Sequence, residues 1–249
     1  MSRFFPLFFL ACSCVSLATG QTNAILERAA AAEVALEPRR ALELYYEALR
    51  AAPDDAFILQ KIARQYSDLV EDQRGPEEKK RYAQTALDYA LRAVALEPDN
   101  PVNVLSLAIC HGRLATYSDT RTKVKYSRLI KEEVERALAL DPDYAWAHHV
   151  LGRWHHEVAS LGRTARFFVT LFYGGLPEAS SSEAINHLER AAALEPDVIA
   201  HRVELGIILH ATGQLERART ELERGLALPA REKHDVIVRA RAQAVLAEL

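Results

Sequence analysis

The sequence predicts an all-α fold: a right-handed superhelical solenoid of about five helix pairs, closed by a C-terminal capping helix. Three observations lead there. Ala, Leu, Glu and Arg, all good helix formers, dominate the 249 residues, and β-branched runs are almost absent. Helix-ending prolines recur at Pro53, Pro98, Pro142, Pro196 and Pro229, spaced by 45, 44, 54 and 33 residues. Between them the apolar residues keep a three-to-four rhythm, which is helical throughout.

The register follows from the prolines. Nine and ten residues after the first four come Ile62-Ala63, Leu107-Ala108, Leu151-Gly152 and Leu205-Gly206. This large–small pair marks the first helix of each unit, and the small residue lets a partner helix approach closely. Before the prolines come Ala41/Tyr45/Ala48, Ala86/Ala90/Ala93, Ile130/Val134/Ala137, Ala184/Leu188/Ala191 and Ala218/Leu222/Gly225. These mark the second helix. The units fall at about 22–55, 56–100, 101–144, 145–198 and 199–231, with a cap over 232–249. The cap hides the apolar end of the last unit, as terminal repeats must.

The first twenty residues stand apart. Arg3 precedes an apolar run, Phe4 to Leu17, and Ala18-Thr19-Gly20 offers small residues before Gln21. This reads as a signal peptide over 1–20, and hence as an exported protein, periplasmic or secreted. Anchoring through the N-terminus, or lipidation at Cys12 or Cys14, is the alternative. The run is shorter than the ~20 residues a membrane span needs. Removing it takes away one cation and moves the formal charge from −3 to −4. No charge imbalance points to nucleic acid. Cys110 is then the one remaining cysteine, so no internal disulfide can form.

These five aligned units resemble the tetratricopeptide repeat family over about 22–231. The last spacing approaches that family's period of ~34 residues. The longer spacings place loops between the paired helices at 67–81, 116–126 and 159–181. Insertions of this kind project from one edge of a solenoid, often a functional one.

Irregular features resemble the regulator of microtubule dynamics family more narrowly. They are Ile62-Ala63-Arg64-Gln65-Tyr66-Ser67-Asp68-Leu69, the charged Glu77-Glu78-Lys79-Lys80, and the Ala-rich helix from Ala86 to Ala93. To these add the HxxLGxW-like stretch from His148 to Trp154, a long apolar insert ending at Pro177, and Leu228-Pro229-Ala230-Arg231-Glu232. The resemblance implies a solenoid with a microtubule role, or an adaptor at an organelle membrane. An exported protein would meet no microtubules, so with export the resemblance implies architecture alone.

Successive first helices line the concave groove. Groove positions are Gln60, Arg64 and Ser67; Leu105, Ile109 and Gly112; His149, Arg153 and His156; Val203, Ile207 and His210. Arg64 and Arg153 suit planar capture of a carboxylate, so the groove would take an acidic peptide or a C-terminus. Charge pairing with local Glu is the plainer reading of both. The peptide-binding set is Gln60, Arg64, His149, Arg153, His156 and His210.

His148, His149, His155 and His156 crowd one helix, but His156-Glu157 does not complete HExxH. No metal is expected, and neutral histidines in helix interfaces are the better reading. The insert over 164–176 carries Phe167, Phe168, Leu171 and Phe172 behind Arg163 and Arg166. It either folds onto its own repeat or forms a lip that touches a partner or, peripherally, a membrane. No GxSxG, phosphate loop or CxxC is present, so no enzyme and no cofactor are expected. The expected function is non-enzymatic: a scaffold that binds a polypeptide in its groove or along its inserted edge.

Overall fold

The structure, a computed structural model, describes residues 11–249, with side chains from Gln21 onward. The first half of the expected signal peptide, 1–10, lies outside those residues, and 11–20 are helical. Twelve α-helices are present among them and no strand. Helices α1 (Ala11–Val34) and α2 (Pro38–Ala51) form unit one, and α3 (Ala56–Leu69) and α4 (Gly75–Leu96) form unit two. Unit three is α5 (Pro101–Thr116) with α6 (Thr120–Leu140). Unit four pairs α7 (Ala145–Ala159) with α9 (Ser181–Leu194), and α8 (Arg163–Tyr173) is inserted between them. Unit five is α10 (Ile199–Ala211) with α11 (Leu215–Ala227), and α12 (Asp235–Leu246) closes the array. The expected five pairs and cap are all there.

The prolines act as expected. The residue before each of Pro53, Pro98, Pro142 and Pro196 leaves helical geometry, with ψ between 75° and 96° at Ala52, Glu97, Asp141 and Glu195. A proline's Cδ crowds its predecessor out of the α region, so each helix stops one residue earlier. After Pro53 and Pro98 the next helix is then started by a side chain. Asp55 accepts from Ile58 N, and Asn100 accepts from Val102 N and Asn103 N. Asp119 and Ser180 cap α6 and α9 in the same way.

The large–small pairs sit where paired helices touch. A Cβ on Gly152 would lie 2.8 Å from Leu188 Cγ, and one on Gly206 would lie 2.6 Å from Leu222 Cγ. Ala63 and Ala108 take the same place in units two and three, and both are buried. Apolar clusters then run from unit to unit. Ala63 packs with Ala86, Ala90 and Leu107, and Val104 and Ala108 pack with Val134, Leu151 and Trp154. Trp154 also donates to Ser127 O at 2.7 Å, so its polar edge is satisfied inside the core.

Two of the three expected loops are mostly helix. Gly75 and Pro76 start α4 early, and Asp119 starts α6 early, so the extra residues lengthen the second helices of units two and three. Proline at the first turn loses no intrahelical bond, since that N–H has no partner there. Only in unit four does the insertion leave the helical pair, as α8 and the extended stretch after it.

Candidate functional site

The expected groove residues fall on four first helices, α3, α5, α7 and α10. On α3, Gln60 Nε2 donates to Ser106 Oγ at 3.1 Å, and Ser67 is buried against Cys110. Arg64 is half-exposed and donates to Glu232 at 3.0 Å, with Asp68 at 3.9 Å. On α7, Arg153 lies 3.1 Å from Glu157 and 3.5 Å from Glu204. Glu204 is buried on α10 and accepts from Arg241 of α12 at 3.0 Å. Both groove arginines therefore already hold carboxylates of this chain.

Much of the groove is filled from within. Helix α12 lies on the groove side of α10, where Ile207 packs with Val238, Val245 and Leu246. His210 Nε2 stands 4.0 Å from Glu248. The segment ahead of α12 then crosses to α3, more than 160 residues away in sequence. There Lys233 donates to Asp68 O and pairs with Asp72, each at 2.7 Å. His234 Nε2 lies 3.2 Å from Asp68 and 3.4 Å from Arg113 on α5. Glu232 completes the contact at Arg64. Nothing in the sequence marks this strap, because Arg231 to Asp235 reads as an ordinary charged tract after a proline break.

The histidines form two pairs at the junction of units four and five. His149 on α7 and His201 on α10 are buried, with Nδ1 atoms 3.0 Å apart. His201 Nε2 reaches Glu195 at 3.3 Å, so that nitrogen carries its proton, and His201 Nδ1 accepts from His149. His148 and His187 repeat the arrangement at 2.9 Å, with His148 Nε2 donating to Pro142 O. Burial drives the pKa of His201 down to about 4. Burial and then His148 and His155 bring His187 to about 4 as well. His149 is held well below its usual value, first by burial and then by His201. His149, His187 and His201 are thus neutral interface histidines. His156 faces elsewhere, and its buried Nδ1 finds no hydrogen-bond partner among the described residues. No cluster of three or more His, Cys, Asp or Glu among them could hold a metal. Cys110 is buried, and burial pushes its thiol up to about 12.

Helix α8 stands off the body. No residue of it is buried. Phe167, Phe168, Leu171 and Phe172 are 61%, 49%, 60% and 64% exposed, and so form one outward apolar face. Phe168 and Phe172 stack with ring centroids 6.0 Å apart. Two arginines hold the helix through its ends. Arg166 donates to Val158 O and Ala159 O, and Arg128 of α6 grips the carbonyls of Tyr173 and Gly175. Leu176, at the end of the insert, packs against the cluster of Leu151, Trp154 and Val158, while the apolar face of α8 itself stays uncovered. Arg121, Lys123 and Lys125 lie exposed within two turns of Arg128, and Arg163 is exposed at the start of α8. Among the described residues, Lys123, Lys125 and Arg163 take part in no salt bridge. None of the described helices is long and apolar enough to cross a membrane.

Comparison with known proteins agrees with this architecture. A family model described as regulator of microtubule dynamics protein 1-3 matches residues 25–249. Regulator of microtubule dynamics protein 3 of Xenopus laevis is 30% identical over 143 residues, 57% of this chain and 31% of that protein. Protein 1 of Bos taurus is 28% identical over 145 residues, 58% of this chain and 46% of its own. The matched stretch therefore spans a third to a half of these relatives. Among solved structures, the tetratricopeptide protein TTC0263 of Thermus thermophilus superposes with a TM-score of 0.66 at 21% identity, covering 91% of this chain and 99% of that one. A chain of the APC/C hetero-tetramer Cut9-Hcn1 gives 0.58 at 16%, covering 89% and 36%. The solenoid fold is thereby shown. The expectation of an exported, periplasmic or secreted protein is corrected. Relatives over most of this chain are named for regulating microtubules, polymers of the cell interior that an exported chain does not meet.

Proposed function

This chain belongs to the regulator of microtubule dynamics protein family, and on that premise we propose that it is a non-enzymatic scaffold that binds an acidic polypeptide surface along its α8 edge. The observation that carries the reading is the outward face of Phe167, Phe168, Leu171 and Phe172. Four large apolar side chains kept in water by a dedicated helix have no role in the core, and such patches mark contacts. Aromatic anchors of this kind dominate interface energetics. The cations beside them, Arg121, Lys123, Lys125 and Arg163, select a partner of negative charge. The microtubule lattice is acidic, and the relatives' name supports it as the partner.

Co-pelleting with purified microtubules tests this. Fully burying an apolar side chain of this size stabilises a contact by about 1.5–3 kcal/mol, and these are already partly covered. Replacing Phe167, Phe168 and Leu171 by Ser should therefore weaken pelleting by at least about 30-fold. The fold should survive, since none of the three is buried. Equal pelleting by both proteins would refute the assignment. Flotation on anionic vesicles that is lost in the triple variant, with no pelleting by either protein, would instead assign the edge to a membrane surface.

A further inference from the structure

We propose that the concave groove is a second binding site, kept closed by residues 230–235 acting as a built-in competitor at Arg64, and opened by a polypeptide segment that presents adjacent carboxylate and ammonium groups. The strap's own chemistry defines that ligand. Glu232 places a carboxylate on Arg64, while its neighbour Lys233 places an ammonium on Asp72 and on the carbonyl of Asp68. His234 Nε2 stands beside both Asp68 and Arg113, where it either donates to the carboxylate or accepts from the guanidinium. Alternate charges on α3 and α5 thus meet alternate charges on the strap. A ligand with the same alternation fits the same positions.

The strap is built to lift without unfolding the rest. Its contacts on α3 are polar and partly solvated: Arg64 and Glu232 are 42% and 40% exposed, and Lys233 and Asp72 are 24% and 37% exposed. Ion pairs of this exposure hold weakly and yield to salt or to a competitor. No apolar side chain anchors it, since Val236 and Ile237, the first apolar residues beyond it, are 69% and 52% exposed. A cavity of about 30 Å³ remains between the strap and Glu33, Arg64 and Asp68, so its packing there is incomplete. Helix α12 is held separately. Ala242, Val245 and Leu246 pack on unit five, and Arg239 donates to Leu226 O and Leu228 O. The strap also carries its own turn, in which Asp235 Oδ2 accepts from Arg231 N and Glu232 N at 2.7 and 2.8 Å. It can therefore lift from α3 as a preformed turn that stays tied to Asp235, the buried first residue of α12.

The groove under it is a site rather than a seam. Arg64 reaches it from α3 and Arg113 from α5, with Gln60 and half-exposed Ile109 on the same face. The proposal is independent of the α8 edge, because the strap and its partners include no residue of that helix.

The test uses the full chain and a peptide with the sequence of residues 228–237, capped at both ends. In an NMR titration, the variant with Glu232→Ala and Lys233→Ala should show the peptide shifting the Arg64 side-chain resonance, with at least tenfold tighter binding than the unaltered chain. Adding Arg64→Gln should abolish the response. The two-site variant should also show faster hydrogen exchange over 60–69 with an unchanged melting temperature. In the unaltered chain, raising salt to about 1 M, where the Debye length falls to ~3 Å, should speed the same exchange. Equal peptide binding in the open variant and the unaltered chain would overturn the proposal. So would an Arg64 resonance that never shifts, or exchange that ignores salt.

Discussion

Replacing Gly206 by Ala tests how the solenoid is held together, because the same change at Gly112 should have the opposite sign. Gly206 sits on α10 at its closest approach to α11. An added Cβ would lie 2.6 Å from Leu222 Cγ, 2.8 Å from Leu222 Cδ2 and 3.2 Å from Ala218 O. Leu222 and Ala218 are both fully buried, so neither has open space to move into. Ordinary contact requires α11 to retreat by about 1 Å, and overpacking of this kind costs about 1–3 kcal/mol. Alanine recovers up to ~1 kcal/mol through its better helix propensity. The net expectation is a loss of about 1–2 kcal/mol. For a chain of this size that lowers the melting temperature by roughly 3–6 °C. Gly112 lies inside α5, and its added Cβ would meet only Ile130 Cδ1, at 3.9 Å. There the propensity gain stands alone, so Gly112→Ala should raise the melting temperature by about 2–4 °C. Calorimetry of the two variants beside the unaltered chain measures both. A neutral or stabilising Gly206→Ala would refute the close-approach account of the large–small pairs.

Acid should loosen the junction of units four and five. His201 is fully buried with a pKa near 4, while the unfolded chain protonates it near 6.5. The unfolded state then binds more protons between those values, so stability falls as pH drops through the window, by about 3 kcal/mol at full extent. Urea midpoints from pH 7 to pH 4.5 should decline, and His201→Gln should flatten the decline; an equal slope in that variant would count against the histidine. Cys110 should resist iodoacetamide in the folded chain, because its thiol is buried and pushed up to about 12, and peptide mapping would show the modification only after denaturation. Glu204→Gln should cost about 1–2 kcal/mol in chemical denaturation, since it strips the shared carboxylate from Arg153 and Arg241. The exposed pair of Arg190 and Asp143 is the control: Asp143→Asn should change stability by less than about 0.5 kcal/mol.

The repeat was legible because its signals are local. Pro53, Pro98, Pro142 and Pro196 end helices through their immediate neighbours, and Asp55 and Asn100 start the next ones within three residues. Gly152 and Gly206 announced close approach by size alone, and they meet Leu188 and Leu222 as that predicts. The groove residues were placed on the correct helices, but their partners were not visible. Arg64 suggests either a ligand carboxylate or a local Glu as its partner, yet it holds Glu232, 168 residues on. The insert at 164–176 was ambiguous because an apolar helix of that length fits a buried or an exposed role equally. The two long segments read as loops at 67–81 and 116–126 became helix because Gly75-Pro76 and Asp119 are also good helix starts.

By itself, then, the sequence determined the all-α class, the five pairs, the cap and the breaks, since propensity, proline sterics and capping act over a few residues. Tertiary structure alone decided that α8 turns its phenylalanines outward and that residues 230–235 lie across the groove onto α3. The first is set by Arg128 and Arg166, which hold α8 by its ends; the second depends on the rotation added at every unit. That rotation is a small angle set by side-chain packing along the whole array, and summed over several repeats it decides which distant segments meet.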